Sequence, residues 1–85
     1  MIHPSSSHVN QMINNLRRLA QCCGYRIVFK NHLSYNEFTI FIYDKDLPGR
    51  YIVGYDGSWL AQSNSIWSFL GCYKLAINYI YINKH

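Results

Sequence analysis

The amino-terminal part of the chain has the hydrophobic spacing of an amphipathic helix. Apolar residues recur there at steps of three and four, at Val9, Met12, Ile13, Leu16, Leu19, Ala20 and Cys23. Residues with this spacing fall on one face of a helix, here about four turns long. Ser6 or Ser7 is expected to cap its start, and Gly24 is expected to end it in the left-handed conformation.

After Gly24 the spacing of apolar residues changes to two, which is the period of a strand. Three strands are predicted, over residues 25–30, 37–43 and 50–55. Turn-forming residues separate them. Asp56 and Gly57 form a pair typical of a hairpin turn, so a short fourth strand over 58–62 is an alternative to a three-stranded sheet.

The second predicted strand is apolar on both faces. Phe38, Ile40 and Ile42 point to one side, whereas Phe41 and Tyr43 point to the other. If helices cover the first side, Phe41 and Tyr43 remain as aromatic surface. Exposed aromatic surface on a sheet indicates a partner or self-association.

A second helix is predicted to follow Ser63 or Asn64 as its cap and to run to about Tyr81. One face would carry Ile66, Leu70, Tyr73, Ile77 and Ile80, and the opposite face is also apolar. Such a helix is either central to the fold or shared with another chain, which makes Trp67 and Tyr79 candidates for a homodimer interface. Gly71 is expected to permit close approach of a neighbouring element.

These elements predict one small α+β domain over residues 1–85, with a flexible segment over 1–7. The order is one helix, a three- or four-stranded antiparallel sheet, then a C-terminal helix (α-β-β-β-α). Residues 65–82 are apolar enough to suggest a membrane-spanning helix. The charge of Lys74 near their middle instead favours a helix in the core of the protein. No basic run precedes an apolar run at the amino end, so no signal peptide is predicted and a cytoplasmic protein is expected.

The order of elements resembles that of a double-stranded RNA-binding domain. That family presents a basic cluster at the start of its last helix, where it grips phosphates across the major groove. The matching stretch here, residues 63–68, contains no basic residue, and Lys74 alone does not replace the cluster. The resemblance therefore stops at topology, and membership of that family is not predicted.

The chain has a net charge of +4 because acidic residues are scarce, with four of them against eight Lys and Arg. This excess favours an anionic partner, such as nucleic acid, a ribonucleoprotein or an acidic protein. Candidate electrostatic contacts are Arg17, Arg18, Arg26, Lys30, Lys45 and Arg50. No run of basic residues forms a dense patch; the first four come closest to one, and a solvated face is the alternative interpretation for each of them.

Aromatic residues give a second nucleic-acid hypothesis. Platforms for stacking single-stranded bases would be Phe41, Tyr43, Tyr51 and Tyr55. Basic residues near them would contact the backbone. The alternative is that these aromatic side chains form ordinary cross-strand pairs.

The sequence contains no local motif of catalytic or metal-binding residues. His3, His8, His32 and His85 lack metal-ligand spacing, and no nucleophile elbow or phosphate-cradling loop is present. Cys22, Cys23 and Cys72 are expected to be reduced thiols. No metal or cofactor is predicted, and the protein is expected not to be an enzyme.

The function hypothesis is a binding protein that blocks or bridges a protein or ribonucleoprotein complex. Small inhibitors carried by phages and mobile elements, including anti-CRISPR proteins, have this size and character, which is an analogy and not a motif match. Two alternatives stay open: a small RNA- or DNA-binding domain, and a homodimeric structural subunit.

Overall fold

The computed structural model describes residues 6–47 and 49–84. Its helices are α1 (Ser6–Cys22) and α2 (Phe69–Ile82). Its strands are β1 (Tyr25–His32), β2 (Glu37–Asp44) and β3 (Tyr51–Ser58), and they form one antiparallel sheet in the order β1-β2-β3. The predicted α-β-β-β-α fold is confirmed, with three strands.

The two hairpins of the sheet differ in regularity. β1 pairs with β2 without interruption from Tyr25, opposite Asp44, to His32, opposite Glu37. A 3-10 turn over Leu33–Tyr35 connects these strands. The pairing of β2 with β3 has a register shift, because Ile42 lies opposite Val53 but Tyr43 lies opposite Tyr51. One residue of β3 is therefore extra, which is a β-bulge.

One face of the sheet, here called the covered face, packs against both helices. α1 contacts β1, while α2 contacts β2 and β3. The buried apolar residues are Val9, Ile13, Leu16 and Ala20 of α1, Tyr25 and Ile27 of β1, Phe38, Ile40 and Ile42 of β2, and Phe69, Cys72, Ala76 and Ile80 of α2. The apolar stripe predicted for α1 is thus confirmed, as is the inward direction of alternate strand residues.

The start of α1 differs from the prediction. Ser6 and Ser7 are the first residues of the helix and so are not its caps. Most of the predicted flexible segment, residues 1–5, lies outside the described residues. At the other end Gly24 has φ of 89°, the left-handed conformation predicted for the residue that ends the helix.

The segment after β3 corrects the prediction of a hairpin and a fourth strand. Asp56 and Gly57 lie inside β3, and residues 59–68 form turns. A Cβ on Gly57 would overlap the Phe38 ring and lie 2.5 Å from the carbonyl oxygen of Trp67. Glycine is therefore used here for close packing between the strand and the following loop, and not for a reversal of the chain.

The start of α2 is also later than predicted, because the loop folds back against the first turn of the helix. Ser68 is the N-cap, and its hydroxyl accepts a hydrogen bond of 3.1 Å from the Gly71 N–H. A Cβ on Gly71 would overlap the Ser65 carbonyl oxygen and lie 2.7 Å from the Ile66 Cα. The close approach predicted at Gly71 is confirmed.

The face of α2 that packs on the sheet matches the predicted stripe only in part, because Ile80 is buried and Tyr73 and Ile77 are partly buried against the core. The buried residues are Phe69, Cys72, Ala76 and Ile80, and of the predicted stripe Ile66 precedes the helix. Because α2 is apolar on nearly all sides, the spacing of its apolar residues fits more than one stripe. Within the described residues, neither helix combines the length and the apolar character that crossing a membrane requires.

Candidate functional site on the open face of the sheet

The face of the sheet opposite the helices, here called the open face, carries an aromatic cluster. Phe41 and Tyr43 of β2 meet Tyr51 of β3, and we call these three residues the open-face cluster. Ring centroids are 4.8 Å apart for Phe41 and Tyr51, and 6.4 Å apart for the other two pairs. Tyr51 is 54% exposed, and Phe41 and Tyr43 are half-buried.

Two cations of β1 lie over rings of this cluster. The guanidinium carbon of Arg26 is 4.4 Å from the centre of the Tyr43 ring. The Lys30 Nζ is 5.7 Å from the centre of the Phe41 ring. Such contacts attract the cation to the negative face of the ring and are worth about 0.5–1 kcal/mol each at exposed sites. Among the described residues, neither cation has an acidic partner.

The strand register explains how these side chains meet. Arg26 lies directly opposite Tyr43, and Tyr43 lies opposite Tyr51, so the three form one row across the sheet. Phe41 lies opposite Gly54, whose lack of a side chain leaves room for the ring. Sequence analysis did not identify Gly54 as part of the site, since its role depends on the register between β2 and β3.

Acidic character on the open face is confined to the other end of the strands. Asp56 accepts a hydrogen bond of 2.6 Å from the hydroxyl of Thr39. Glu37 lies at the start of β2, opposite His32 and Ser58. The two remaining acids lie at the end that holds the open-face cluster and Arg26: Asp44 ends β2 opposite Tyr25, a residue of the covered face, and Asp46 follows in the connection to β3.

Tyr55, the fourth predicted aromatic platform, lies on the covered face. It packs against the core, and burial raises its pKa, with further increases from Tyr79 and Cys72. Strict alternation would put Tyr51 and Tyr55 on one face, because they are four residues apart. The bulge in β3 inserts one residue between them and moves them to opposite faces.

The six predicted electrostatic residues are divided among three surfaces. Arg26 and Lys30 are on the open face, while Lys45 and Arg50 are exposed in the connection between β2 and β3. Arg17 and Arg18 are exposed on α1, which packs on the covered face. The four residues that come closest to a patch in the sequence are therefore split between opposite sides of the sheet.

Trp67 and Tyr79, the two residues predicted as candidates for a homodimer interface, lie in different environments. Trp67 is 61% exposed and lies in the loop before α2. Tyr79 is on α2, and its ring packs edge-on against Tyr25 at 6.0 Å. Tyr25 is buried and donates its hydroxyl hydrogen to the carbonyl oxygen of Asn83. Tyr79 therefore has a role in the fold itself.

The cysteines are free thiols in different environments. Cys22 is exposed, and Cys72 is buried with its Sγ 3.1 Å from the Ile66 carbonyl oxygen. Burial, together with the smaller effect of the nearby Asp56, raises the pKa of Cys72 to about 11. The Cys72 thiol is therefore protonated at neutral pH. In residues 6–47 and 49–84, no three His, Cys, Asp or Glu side chains lie close enough to hold a metal ion.

A cavity of about 280 Å³ lies between α1, the loop after β3 and the start of α2. Its apolar lining includes Met12, Trp59, Phe69 and Leu70, and polar groups come from His8 and three serines. The Trp59 and Phe69 rings stack at 5.5 Å. Sequence analysis missed this cavity because it depends on how the loop folds.

Comparisons of the chain with protein-family models, with curated proteins and with solved structures found no match.

Proposed function

We propose that this protein acts without catalysis, by binding a partner protein, or the protein part of a ribonucleoprotein, through the open face of its sheet. Binding there would block the partner or bridge it to another component. The observation that carries the proposal is the open-face cluster with Arg26 and Lys30 over its rings, on a face that neither helix covers. Aromatic residues and arginine are the types enriched at protein interfaces.

The geometry of the rings supports a protein partner over single-stranded nucleic acid. Successive bases stack best on rings whose faces are free. Here Arg26 and Lys30 lie over two of the three rings, and Phe41 and Tyr51 are inclined at 57° to each other. The cations are instead positioned to meet carboxylates of a partner, next to aromatic surface.

The shifted pKa values support binding over catalysis. Tyr25, Tyr55 and Cys72 have raised pKa values, and burial is the largest cause for each. All three belong to the packing of the covered face. Their shifts follow from the core and need no catalytic explanation.

The test is capture of partners from host extract by the tagged protein, with and without nuclease treatment. We expect a stoichiometric protein that resists nuclease, and we expect it to be lost with the double variant Arg26→Gln/Lys30→Gln. The control is Lys74→Gln/Lys84→Gln, which removes the same charge from exposed positions outside the open face. Equal capture by both double variants would overturn the proposed site.

Recovery of nucleic acid alone would favour the RNA- or DNA-binding alternative. Its signature is an affinity for labelled oligonucleotides that falls steeply with salt, because bound phosphates release counterions. Binding by a protein partner through two cations has a much weaker dependence on salt.

The homodimer alternative is supported by apolar side chains exposed outside the sheet. Leu60, Ile66 and Trp67 are more than half exposed in the loop before α2. A dimer formed there would show a concentration-dependent mass in sedimentation equilibrium, and Trp67→Glu would return it to a monomer. A constant monomer mass would reject this alternative.

A further inference from the structure

The two edges of the sheet differ in whether another strand can be added. In an antiparallel sheet the N–H and C=O of one residue point to the same side, and the side alternates from residue to residue. The Ser58 N–H bonds the Trp67 carbonyl oxygen at 2.6 Å, so it points away from β2. The carbonyl of Asp56 points the same way, since it lies 3.6 Å from the Cys72 Sγ. The carboxyl end of the β3 edge is therefore occupied.

The rest of the β3 edge is interrupted by the bulge at Ile52. A bulge twists an edge strand and disturbs the regular row of hydrogen-bonding groups that an added strand needs. The β3 edge thus has obstacles at both ends.

The β1 edge is regular and unoccupied over most of its length. β1 pairs with β2 without interruption, so the same alternation can be followed from β3 through β2 to β1. It places the N–H and C=O groups of Ile27, Phe29 and Asn31 on the outer side of β1. In the part of the chain that the structure describes, these groups have no hydrogen-bond partner. This row of free groups is a template for one more strand.

The side chains next to this edge select the charge of the added strand. Arg26 and Lys30 project from β1 on the open face, where side chains directly opposite on a neighbouring strand lie about 5 Å away. A second copy of β1 would put the same cations against each other, and like charges opposite one another are destabilising. The charged ends of both side chains lie over rings of β2, and an acidic segment would gain two charge pairs by drawing them toward its carboxylates.

We propose that the β1 edge receives an extended acidic segment of the partner protein, which adds to the sheet as a fourth strand with carboxylates beside Arg26 and Lys30. This inference rests on the proposed function and names the form in which the partner binds. Backbone hydrogen bonds to Ile27, Phe29 and Asn31 supply affinity, and the two cations supply the preference for acidic sequence.

The test uses synthetic ten-residue peptides that alternate glutamate with valine, titrated into the labelled protein and followed by NMR chemical shifts. We expect the largest amide shifts at Ile27, Phe29 and Asn31. The matched peptide with lysine in place of glutamate is expected to bind at least about tenfold more weakly, which corresponds to about 1.4 kcal/mol.

N-methylation of the peptide separates strand addition from simple charge attraction. In an added strand only every second amide points at β1. One peptide is methylated at its glutamate amides, and a second peptide is methylated at its valine amides. Binding should be abolished for one of the two peptides and kept for the other. Equal effects of the two methylation patterns, or no binding of the acidic peptide at millimolar concentration, would overturn the inference.

The outcomes for this inference and for the proposed function are distinct. If Arg26→Gln/Lys30→Gln loses the captured partner while the two methylation patterns have equal effects, the open face binds a partner but not as an added strand. If the double variant keeps its partner, the proposed site itself is wrong.

Discussion

Both faces of β2, the central strand, carry large apolar or aromatic residues, but the two faces differ in how far these residues are buried. On the covered face Phe38, Ile40 and Ile42 are fully buried beneath the helices. On the open face Phe41 and Tyr43 keep part of their surface in water and have cations over their rings. The comparison shows that aromatic content does not distinguish core from surface, whereas the neighbours of each ring do. One face forms the core of the protein, and the other keeps part of its aromatic surface in contact with water.

The largest expected difference between the faces is in the free energy of unfolding. Phe38→Ala removes a ring that is 0% exposed and should lower this free energy by about 3–5 kcal/mol. Phe41→Ala removes aromatic contacts at a half-exposed position and should cost only about 1 kcal/mol. Urea unfolding followed by tryptophan fluorescence measures both values. Equal losses would contradict the assignment of the two faces.

The substitution Gly71→Ala tests how tightly the loop before α2 packs against the first turn of that helix. Although alanine favours helix by about 1 kcal/mol, the added Cβ overlaps the Ser65 carbonyl, and such overpacking typically costs about 1–3 kcal/mol. We therefore expect a lower midpoint of thermal unfolding. Asn78→Ala, at an exposed position of the same helix, is the control and should have little effect. A midpoint raised by Gly71→Ala would show that the loop moves aside freely.

High pH should weaken the covered face through its buried thiol. The pKa of Cys72 is about 11 in the folded protein, above the ordinary value of 9.0. The folded state therefore holds this proton more tightly than the unfolded state does, and the associated stability is present below about pH 9 and lost as the pH rises towards 11. Urea unfolding between pH 7.5 and 10.5 should show this loss.

Two cysteine variants test whether Cys72 causes the loss of stability at high pH. Cys72→Ala should reduce the slope of stability against pH, whereas Cys22→Ala, at an exposed position, should leave it unchanged. A residual slope at the highest pH is expected from Tyr25 and Tyr55, whose pKa values are also raised by burial. An unchanged slope in the Cys72 variant would contradict the assignment.

The smallest expected effect on stability is that of the double variant Arg26→Gln/Lys30→Gln. Each side chain contributes about 0.5–1 kcal/mol through its ring contact, so the combined loss should be no more than about 2 kcal/mol. Partner binding should nevertheless be lost. Arg17→Gln/Arg18→Gln, on the helical side, should change partner binding much less. A larger effect from the α1 variant would move the binding surface to the helices.

The parts of the fold predicted best from the sequence are those with one apolar face. α1 has a single apolar stripe, and the outward-facing positions of β1 include the charged Arg26 and Lys30, so the orientation of both elements follows directly from spacing. α2 is apolar nearly all round, and its orientation depends on the loop that packs on Gly71. The spacing of apolar residues alone therefore does not show which side of α2 packs on the sheet.

The candidate site was predicted in part, and the errors have physical causes. Phe41, Tyr43 and Tyr51 come together as expected, but the bulge in β3 moves Tyr55 to the covered face. A bulge is set by pairing between strands, which local alternation does not contain. The Asp56-Gly57 pair was likewise a good local signal for a turn, and tertiary packing of Phe38 and Trp67 around Gly57 determines its conformation instead.

The position of α2 in the chain has a consequence for synthesis. The strands emerge from the ribosome before the helix that supplies Phe69, Cys72 and Ile80 to the core. Until that helix docks, both faces of the nascent sheet expose aromatic side chains, and such intermediates are prone to aggregate or to recruit chaperones. The hydrogen bond from Tyr25 to the Asn83 carbonyl, which joins residues 58 apart in the chain, can form only after α2 is complete.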